Sequence, residues 1–346
     1  MAWESEGIEG LETIVISVRI RLARNFAAYP FPQKMDEEQA ANVVYLVEKG
    51  LEKLDRFTKY DLKEISEEEA LLLQEQYLIS PALTKSKAGA AFVSEDRKVS
   101  VMVNEEDHLR QQFIVKGLEL FRAYERLTLI DDVLGSQYDF AFDEKLGYLT
   151  ACPSNLGTGM RASVMMFLPG LIWNGELKKI LPTLKAGGFT VRGAFGEGTQ
   201  GEGYVYQISN ERTLGTSELD LIDQMMEIAL NVCDLEKRAR AKMLQNSEVE
   251  IKDRCLRAYG TLTHCAMLSL SEFHAKMADV KLGIIFGFFQ TESLDEFQDF
   301  IDGMRATVFR VNNGLRDASE KDCDIVRAET VRRVLPQLVR ISKDWE

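Results

Sequence analysis

Short strand-like segments alternate with helical ones in the first two thirds of this chain, and beyond about residue 240 only helical spacing remains. This change of period constrains the fold more than any other feature. Strands are predicted at residues 14–22, 90–93, 99–103, 189–194 and 204–208, with a further alternating pair within 140–150 around Asp143-Glu144-Lys145. Helices are predicted at 37–54, 66–76, 118–134, 161–173 and 176–185, and a long amphipathic one starts at Ser217. Gly187-Gly188 ends the helix before the 189–194 strand. Past the rise in charge at 238–242, Ser271-Glu272, Ser293 and Ser319 are helix starts and Asn312-Asn313-Gly314 is a break. The expected fold is α+β: an antiparallel sheet flanked by helices, followed by an all-helical C-terminal domain. The boundaries drawn are 1–12 as a lead-in, 13–240 as the first domain and 241–346 as the second.

Within the first domain, Cys152-Pro153-Ser154-Asn155-Leu156-Gly157-Thr158-Gly159-Met160-Arg161 packs a thiol, two glycines and an arginine into ten residues. Glycines let a backbone approach a ligand closely. Arg161 is expected to open a helix, whose free N–H groups would favour an anion and a nearby thiolate. On the 14–22 strand, Arg19 and Arg21 share a face, because side chains alternate with period two. They need an anion or a carboxylate opposite, or an exposed edge. Gly196-Glu197-Gly198-Thr199-Gln200-Gly201 has the spacing of a dinucleotide-binding loop, but a strand follows where that loop requires a helix.

Four stretches match one known family in order. They are residues 17–25 (SVRIRLARN), 104–110 (NEEDHLR), 152–163 (CPSNLGTGMRAS) and 191–198 (VRGAFGEG). Together they resemble the guanidino (phosphagen) kinases, and most of all the bacterial protein arginine kinases, where the likeness runs to the C-terminus. The resemblance implies an ATP-dependent transfer of the γ-phosphoryl group to arginine guanidinium groups of proteins. It also implies a role in marking stress-damaged proteins or a repressor for Clp-type proteolysis. A zinc-binding activator and a Clp-type ATPase or protease are the partners it suggests. ATP and Mg2+ are the cofactors it implies, with the magnesium held largely by ATP and water.

By the same resemblance, Arg19, Arg21, Arg110, Arg161 and Arg192 bind the nucleotide phosphates. Ser17, Tyr77, Ala162, Ser163, Val164, Met165, Gly193, Ala194, Phe195 and Gly196 belong to the same pocket. Glu106 and Glu197 would grip and deprotonate the guanidinium, Glu106 as the principal base, with Cys152 against it as a polarisable thiolate. Phosphoryl transfer is mostly positioning and electrostatics, and arginine forks suit phosphate oxygens. The chain carries neither a Walker A lysine nor the protein-kinase motif set, so arginines must do that work.

Several positions depart from the family pattern. Val18 stands where a second serine is common, Phe195 where creatine and arginine kinases have an arginine, and Tyr77 where close relatives have a histidine. Cys323-Asp324-Ile325-Val326-Arg327-Ala328 occupies the place of an R-D-x-x-R-A phosphoarginine pocket, with Cys323 for its first arginine. Weaker binding there is expected.

Composition bounds the rest. The net charge of −13 argues against a general nucleic-acid binder and suits basic protein partners. No apolar run is long enough to span a bilayer and no signal peptide is evident, so a cytoplasmic location is expected. Five scattered cysteines read as reduced thiols, and three histidines without ligand spacing make a metal site unexpected. An apolar-faced C-terminal domain suggests a dimer or larger assembly.

Two alternatives remain. One is a kinase for a small guanidino metabolite such as arginine or creatine. Kinases of that kind carry a helical domain where this sequence has twelve residues, which favours a more open site here. The other is a non-catalytic adaptor that reads phosphoarginine.

Overall fold

The computed structural model describes residues 10–54, 56–86, 88–193 and 202–343. Contacts divide the chain into two compact units. One comprises residues 1–166, 181–191 and 207–233, and the other 167–180, 192–206 and 234–346.

The first unit begins with β1 (Val15–Arg24) and α1 (Glu37–Leu51), followed by β2 (Phe57–Asp61) and α2 (Glu67–Glu75). Asp36 starts α1 with a full capping box to Gln39, and Ser66 caps α2 by accepting from the Glu69 N–H. Next come β3 (Ala90–Ser94), β4 (Val99–Val103), β5 (Leu109–Lys116) and α3 (Leu120–Gly135). A small hairpin of β6 (Phe142–Asp143) and β7 (Gly147–Tyr148) then leads to β8 (Met160–Phe167). Of the next elements, α4 (Pro169–Trp173) belongs to the second unit, and α5 (Leu177–Ala186), β9 (Phe189–Gly193) and β10 (Val205–Asn210) each contribute residues to both. Eight strands form one sheet in the order β2-β3-β4-β5-β1-β8-β10-β9. The fold class is α+β, as expected.

β1 is central and antiparallel to both β5 and β8. Val18, Ile20 and Leu22 point to one face, where α3 brings Leu120, Ala123, Leu127, Ile130 and Leu134. Burying each large aliphatic side chain there contributes about 1.5–3 kcal/mol. The opposite face of β1 carries Ser17, Arg19 and Arg21.

The expected helix at 161–173 is not formed. Residues 160–167 are β8, paired with β1 from Val15 to Leu22, and only Pro169–Trp173 is helical. Met, Arg and Ala in Met-Arg-Ala-Ser-Val-Met-Met are good helix formers, and pairing beside β1 in the sheet overrides that local preference. The approach also excludes a helix start. Gly157 and Gly159 have φ of 110° and 61°, and a Cβ on either would lie within 2.5 Å of a backbone oxygen, of Thr213 and Ala23 respectively. Arg161 therefore acts from a strand, without a helix N-terminus behind it.

The long α6 (Glu218–His264) departs from helical geometry at Ser247. It is followed by α7 (Leu270–Ile285), β11 (Phe289–Thr291), α8 (Leu294–Gly303), α9 (Ala306–Asn312), α10 (Glu320–Leu338) and β12 (Val339–Ile341). The N-cap of α7 is Ser269, two residues before the expected start. Met243, Ile251, Phe273, Met277, Phe289, Phe297, Phe309 and Val331 are among the residues of one buried core in the second unit. The all-helical expectation fails at β11 and β12, which pair with each other. Three-residue strands carry too little alternation to stand out from flanking helices.

Candidate active site

The sheet register assembles the arginines. In antiparallel strands, residues directly opposite project to the same face. Arg21 lies opposite Arg161 on β8 and Gln112 on β5, Arg19 opposite Ser163 and Ile114, and Ala23 opposite Arg110. Ser17 lies opposite Met165 and Lys116. Arg19, Arg21, Arg110 and Arg161 therefore share one face of three adjacent strands. Ala162 and Val164 point the other way, fully buried beside Ile20 and Val18, so they can offer only backbone to a ligand on the arginine face.

Such clustering is costly without an anion. Burial lowers the Arg19 pKa to about 10, with the charges of Arg110 and Arg161 acting in the same direction. Burial, then Arg19, Arg110 and Arg161, push Arg21 well below the usual guanidinium value, while Glu105 acts the other way. Arginine stays protonated at neutral pH regardless, so the depression reflects the face's demand for negative charge. The buried Arg21 Nε has no hydrogen-bond partner among the described residues. A polyphosphate meets this demand.

Tyr77 adopts φ 59°, and its carbonyl accepts from the Gln112 side chain; its ring influences Arg19 electrostatically. Arg192 is exposed on β9, in the second unit. Gly193 ends that strand. Ala194, Phe195, Gly196 and Glu197 lie outside the described residues.

The turn between β4 and β5 separates two adjacent carboxylates. Glu105, 3% exposed at its side chain, grips Arg110 Nη1 with both oxygens at 2.9 and 2.7 Å and accepts from Ser80 Oγ. Glu106 is exposed, and its carbonyl accepts from Gln33 Nε2 at 2.9 Å. Asp107 Oδ1 accepts from Asn25 Nδ2 and from the Ala151 N–H, both at 2.7 Å. One buried carboxylate thus ties the residue after Glu106 to the residue before Cys152. Burial raises the Asp107 pKa, and its two hydrogen bonds oppose this.

Beneath this turn, His108 is fully buried and its pKa is lowered by burial. Its Nδ1 accepts from the Phe26 N–H, and Nε2 meets the Pro30 carbonyl at 2.8 Å. That pattern assigns the neutral imidazole with the proton on Nε2. Cys152 is partly exposed, with Sγ 3.0 Å from Ser154 Oγ.

Gln112 and the division of labour between Glu105 and Glu106 emerge only from the fold. Counting by twos from Arg110 along β5 would have found Gln112, had β5 itself been anticipated.

In the second unit, Arg327 is buried. Its Nη1 donates to Asp324 Oδ1 at 2.6 Å and to the Leu268 carbonyl at 2.8 Å, and its guanidinium carbon lies 5.1 Å from the Phe309 ring centre. Cys323 is 1% exposed. Burial, with Arg305 and Arg327 adding to it, lowers the His274 pKa to about 4. Among the described residues no helix is long and apolar enough to cross a membrane.

Comparisons with known proteins point to one family. The family described as ATP:guanido phosphotransferase, C-terminal catalytic domain, matches residues 39–239, and the Protein-arginine kinase McsB C-terminal domain matches residues 248–344. A protein-arginine kinase of Caldanaerobacter subterraneus subsp. tengcongensis is 40% identical over 324 residues, covering 92% of this chain and 96% of that protein. The protein-arginine kinase of Bacillus subtilis is 40% identical over 279 residues, covering 79% and 77%. A crystal structure of lombricine kinase superposes with a TM-score of 0.62 at 26% identity, covering 67% of this chain and 68% of that one. The chain belongs to the ATP:guanido phosphotransferase family and, within it, to the protein-arginine kinases.

Proposed function

We propose that this protein transfers the γ-phosphoryl group of ATP to arginine side chains of proteins. The observation that carries the reading is the junction at Asp107. It sets the exposed Glu106 and the thiol of Cys152 at either end of one hydrogen-bonded link, at the end of the strands that display four arginines.

The roles are those that the resemblance implies. Arg19, Arg21, Arg110 and Arg161 hold the phosphates, and Glu105 fixes Arg110 so that its fork needs no rearrangement. By resemblance, Arg192 and residues 193–196 also take part in nucleotide binding. Magnesium, when bound with ATP, neutralises phosphate charge and is held mainly by ATP and water. Glu106 and Glu197 hold the acceptor guanidinium by its N–H groups, and Glu106 takes the proton that attack requires. Cys152 sits against the guanidinium without forming a covalent intermediate.

In the cell, the reading extends to a cytoplasmic enzyme that marks damaged proteins or a repressor for Clp-type proteolysis, with a zinc-binding activator as partner. The segment around Cys323, Asp324 and Arg327 would sense phosphoarginine weakly. One assay tests the activity. Labelled ATP is supplied with free arginine, creatine or an unfolded basic protein, and acid-labile phosphate is measured. Label on the protein alone is expected. Label on a free guanidino compound alone would make this a metabolite kinase, and no label at all would leave an adaptor.

A further inference from the structure

One cavity of the first unit lies outside the site just described. It has a volume of about 450 Å³ and is lined by Asp131, Asp132, Phe140, Phe142 and Tyr148, with Gly135 and Ser136 at its rim. Three aromatic rings and two carboxylates around one space are the lining that a desolvated cation prefers. The rings are arranged edge to face, with Tyr148 5.2 Å from Phe142 and 6.3 Å from Phe140. Phe142 is 58% exposed.

The fold already places a guanidinium on this wall. Arg24 is fully buried with its guanidinium carbon 3.6 Å from the Tyr148 ring centre, paired to Asp131 at 2.9 Å and Glu218 at 2.8 Å. Arg24 takes up Asp131, and the exposed Asp132 brings a further carboxylate to the cavity wall. The Tyr148 pKa is raised, by burial first; Arg24 opposes the shift, while Asp131, Glu218 and Asp132 add to it. A cation entering the cavity therefore meets aromatic faces in a field that favours it.

The cavity is also tied to the chemistry. Tyr148 is four residues before Cys152, which limits their Cα separation to about 14 Å. On the other side, Asn25, next to Arg24, holds Asp107 of the Glu106 turn. A peptide whose arginine reaches Glu106 and Cys152 can bring a neighbouring residue here within a few positions of extended chain, at about 3.3 Å each.

The geometry points to this cavity as a docking subsite for a second cationic side chain, lysine or arginine, of the protein substrate. The inference rests on the protein-kinase reading. It gives that reading a preference for arginines in basic segments.

The test uses end-capped fluorescent peptides with one arginine in a glycine–serine–alanine background. A lysine, or a norleucine of similar shape without charge, is placed one to five positions to either side. Kd comes from fluorescence anisotropy and kcat/KM from phosphate incorporation. At one or more spacings, lysine should lower Kd and raise kcat/KM about five- to tenfold over norleucine. Asp132→Asn and Phe142→Ala, both at exposed positions, should abolish that gain and leave the lysine-free peptide unaffected. Equal binding of lysine and norleucine at every spacing, or a lysine gain that survives both substitutions, would overturn the subsite. The anisotropy arm decides even if no peptide is phosphorylated, an outcome that would count against the kinase reading alone.

Discussion

Two arginine clusters, one in each unit, use the same side chain under opposite conditions. On the sheet face, Arg19, Arg21, Arg110 and Arg161 crowd together, and their mutual repulsion adds to burial in depressing Arg19 and Arg21. In the helical unit each arginine of the group has its own carboxylate: Arg305 with Asp302, Arg310 with Glu320, Arg327 with Asp324. In the first cluster Glu105 offsets part of the charge through Arg110, and an external anion would offset the rest. The second is neutralised by the fold. Function and stability should therefore respond to substitution in opposite ways in the two places.

The largest effect should come from the carboxylate that the arginine face leaves free. Glu106→Gln is expected to lower kcat by about 10²–10⁴-fold, the usual cost of losing a general base. ATP affinity by calorimetry should be nearly unchanged, because Glu105, not Glu106, holds Arg110. Near-normal turnover in this variant would remove Glu106 from the mechanism.

Next in size is a direct contrast of stabilities. Arg327→Met strips the partner from Asp324 and a donor from the Leu268 carbonyl, and should cost about 3 kcal/mol in denaturant unfolding. Arg21→Met removes a buried, repelled cation, so the ligand-free protein should be as stable as the parent or more so. It should instead lose stabilisation by ATP. Equal destabilisation by the two substitutions would break the comparison.

Arg161→Ala sharpens it further. A charged hydrogen bond to phosphate is worth about 1.5–3 kcal/mol, so ATP Kd should rise roughly 10- to 150-fold. Because Arg161 lies on a strand, the whole effect belongs to its side chain. An unchanged Kd would place it outside the pocket.

How much of this was legible in the sequence depended on the range of the interaction. Arg19 and Arg21 were read onto one face because period two is local. The pairing of Arg21 with Arg161 joins positions far apart in sequence, and no local pattern announces it. The apolar run after Arg161 fits a buried strand as well as a helix, and the space beside β1 settles it. Glu105 and Glu106 differ only in what surrounds them: Arg110 and Ser80 claim the first and leave the second to solvent. The cavity beside Tyr148 draws its acids from α3 and its rings from the hairpin and from Phe140 before it, a meeting that tertiary structure alone creates.

The smallest effect is expected at Cys323. The sequence resemblance implies a phosphoarginine pocket there, with an arginine expected at this position. Here Cys323 is a buried residue one position before Asp324, which already pairs with Arg327. Added phosphoarginine would have to compete with Asp324 for the Arg327 guanidinium, at the cost of separating a buried pair. The protein should therefore respond weakly to free phosphoarginine. Cys323→Arg adds a cation on the same helix four residues before Arg327, close enough to share an anion. Because Asp324 still takes part of that charge, the gain should lie at the low end of allosteric couplings, about 1 kcal/mol. Titrating phosphoarginine against kinase activity in both proteins, with thermal unfolding to confirm that the substituted helix remains folded, measures it. Strong activation of the parent, unchanged by Cys323→Arg, would mean that Arg305 or another cation near His274 already completes the pocket, and the helical cluster would then be as open to anions as the sheet face.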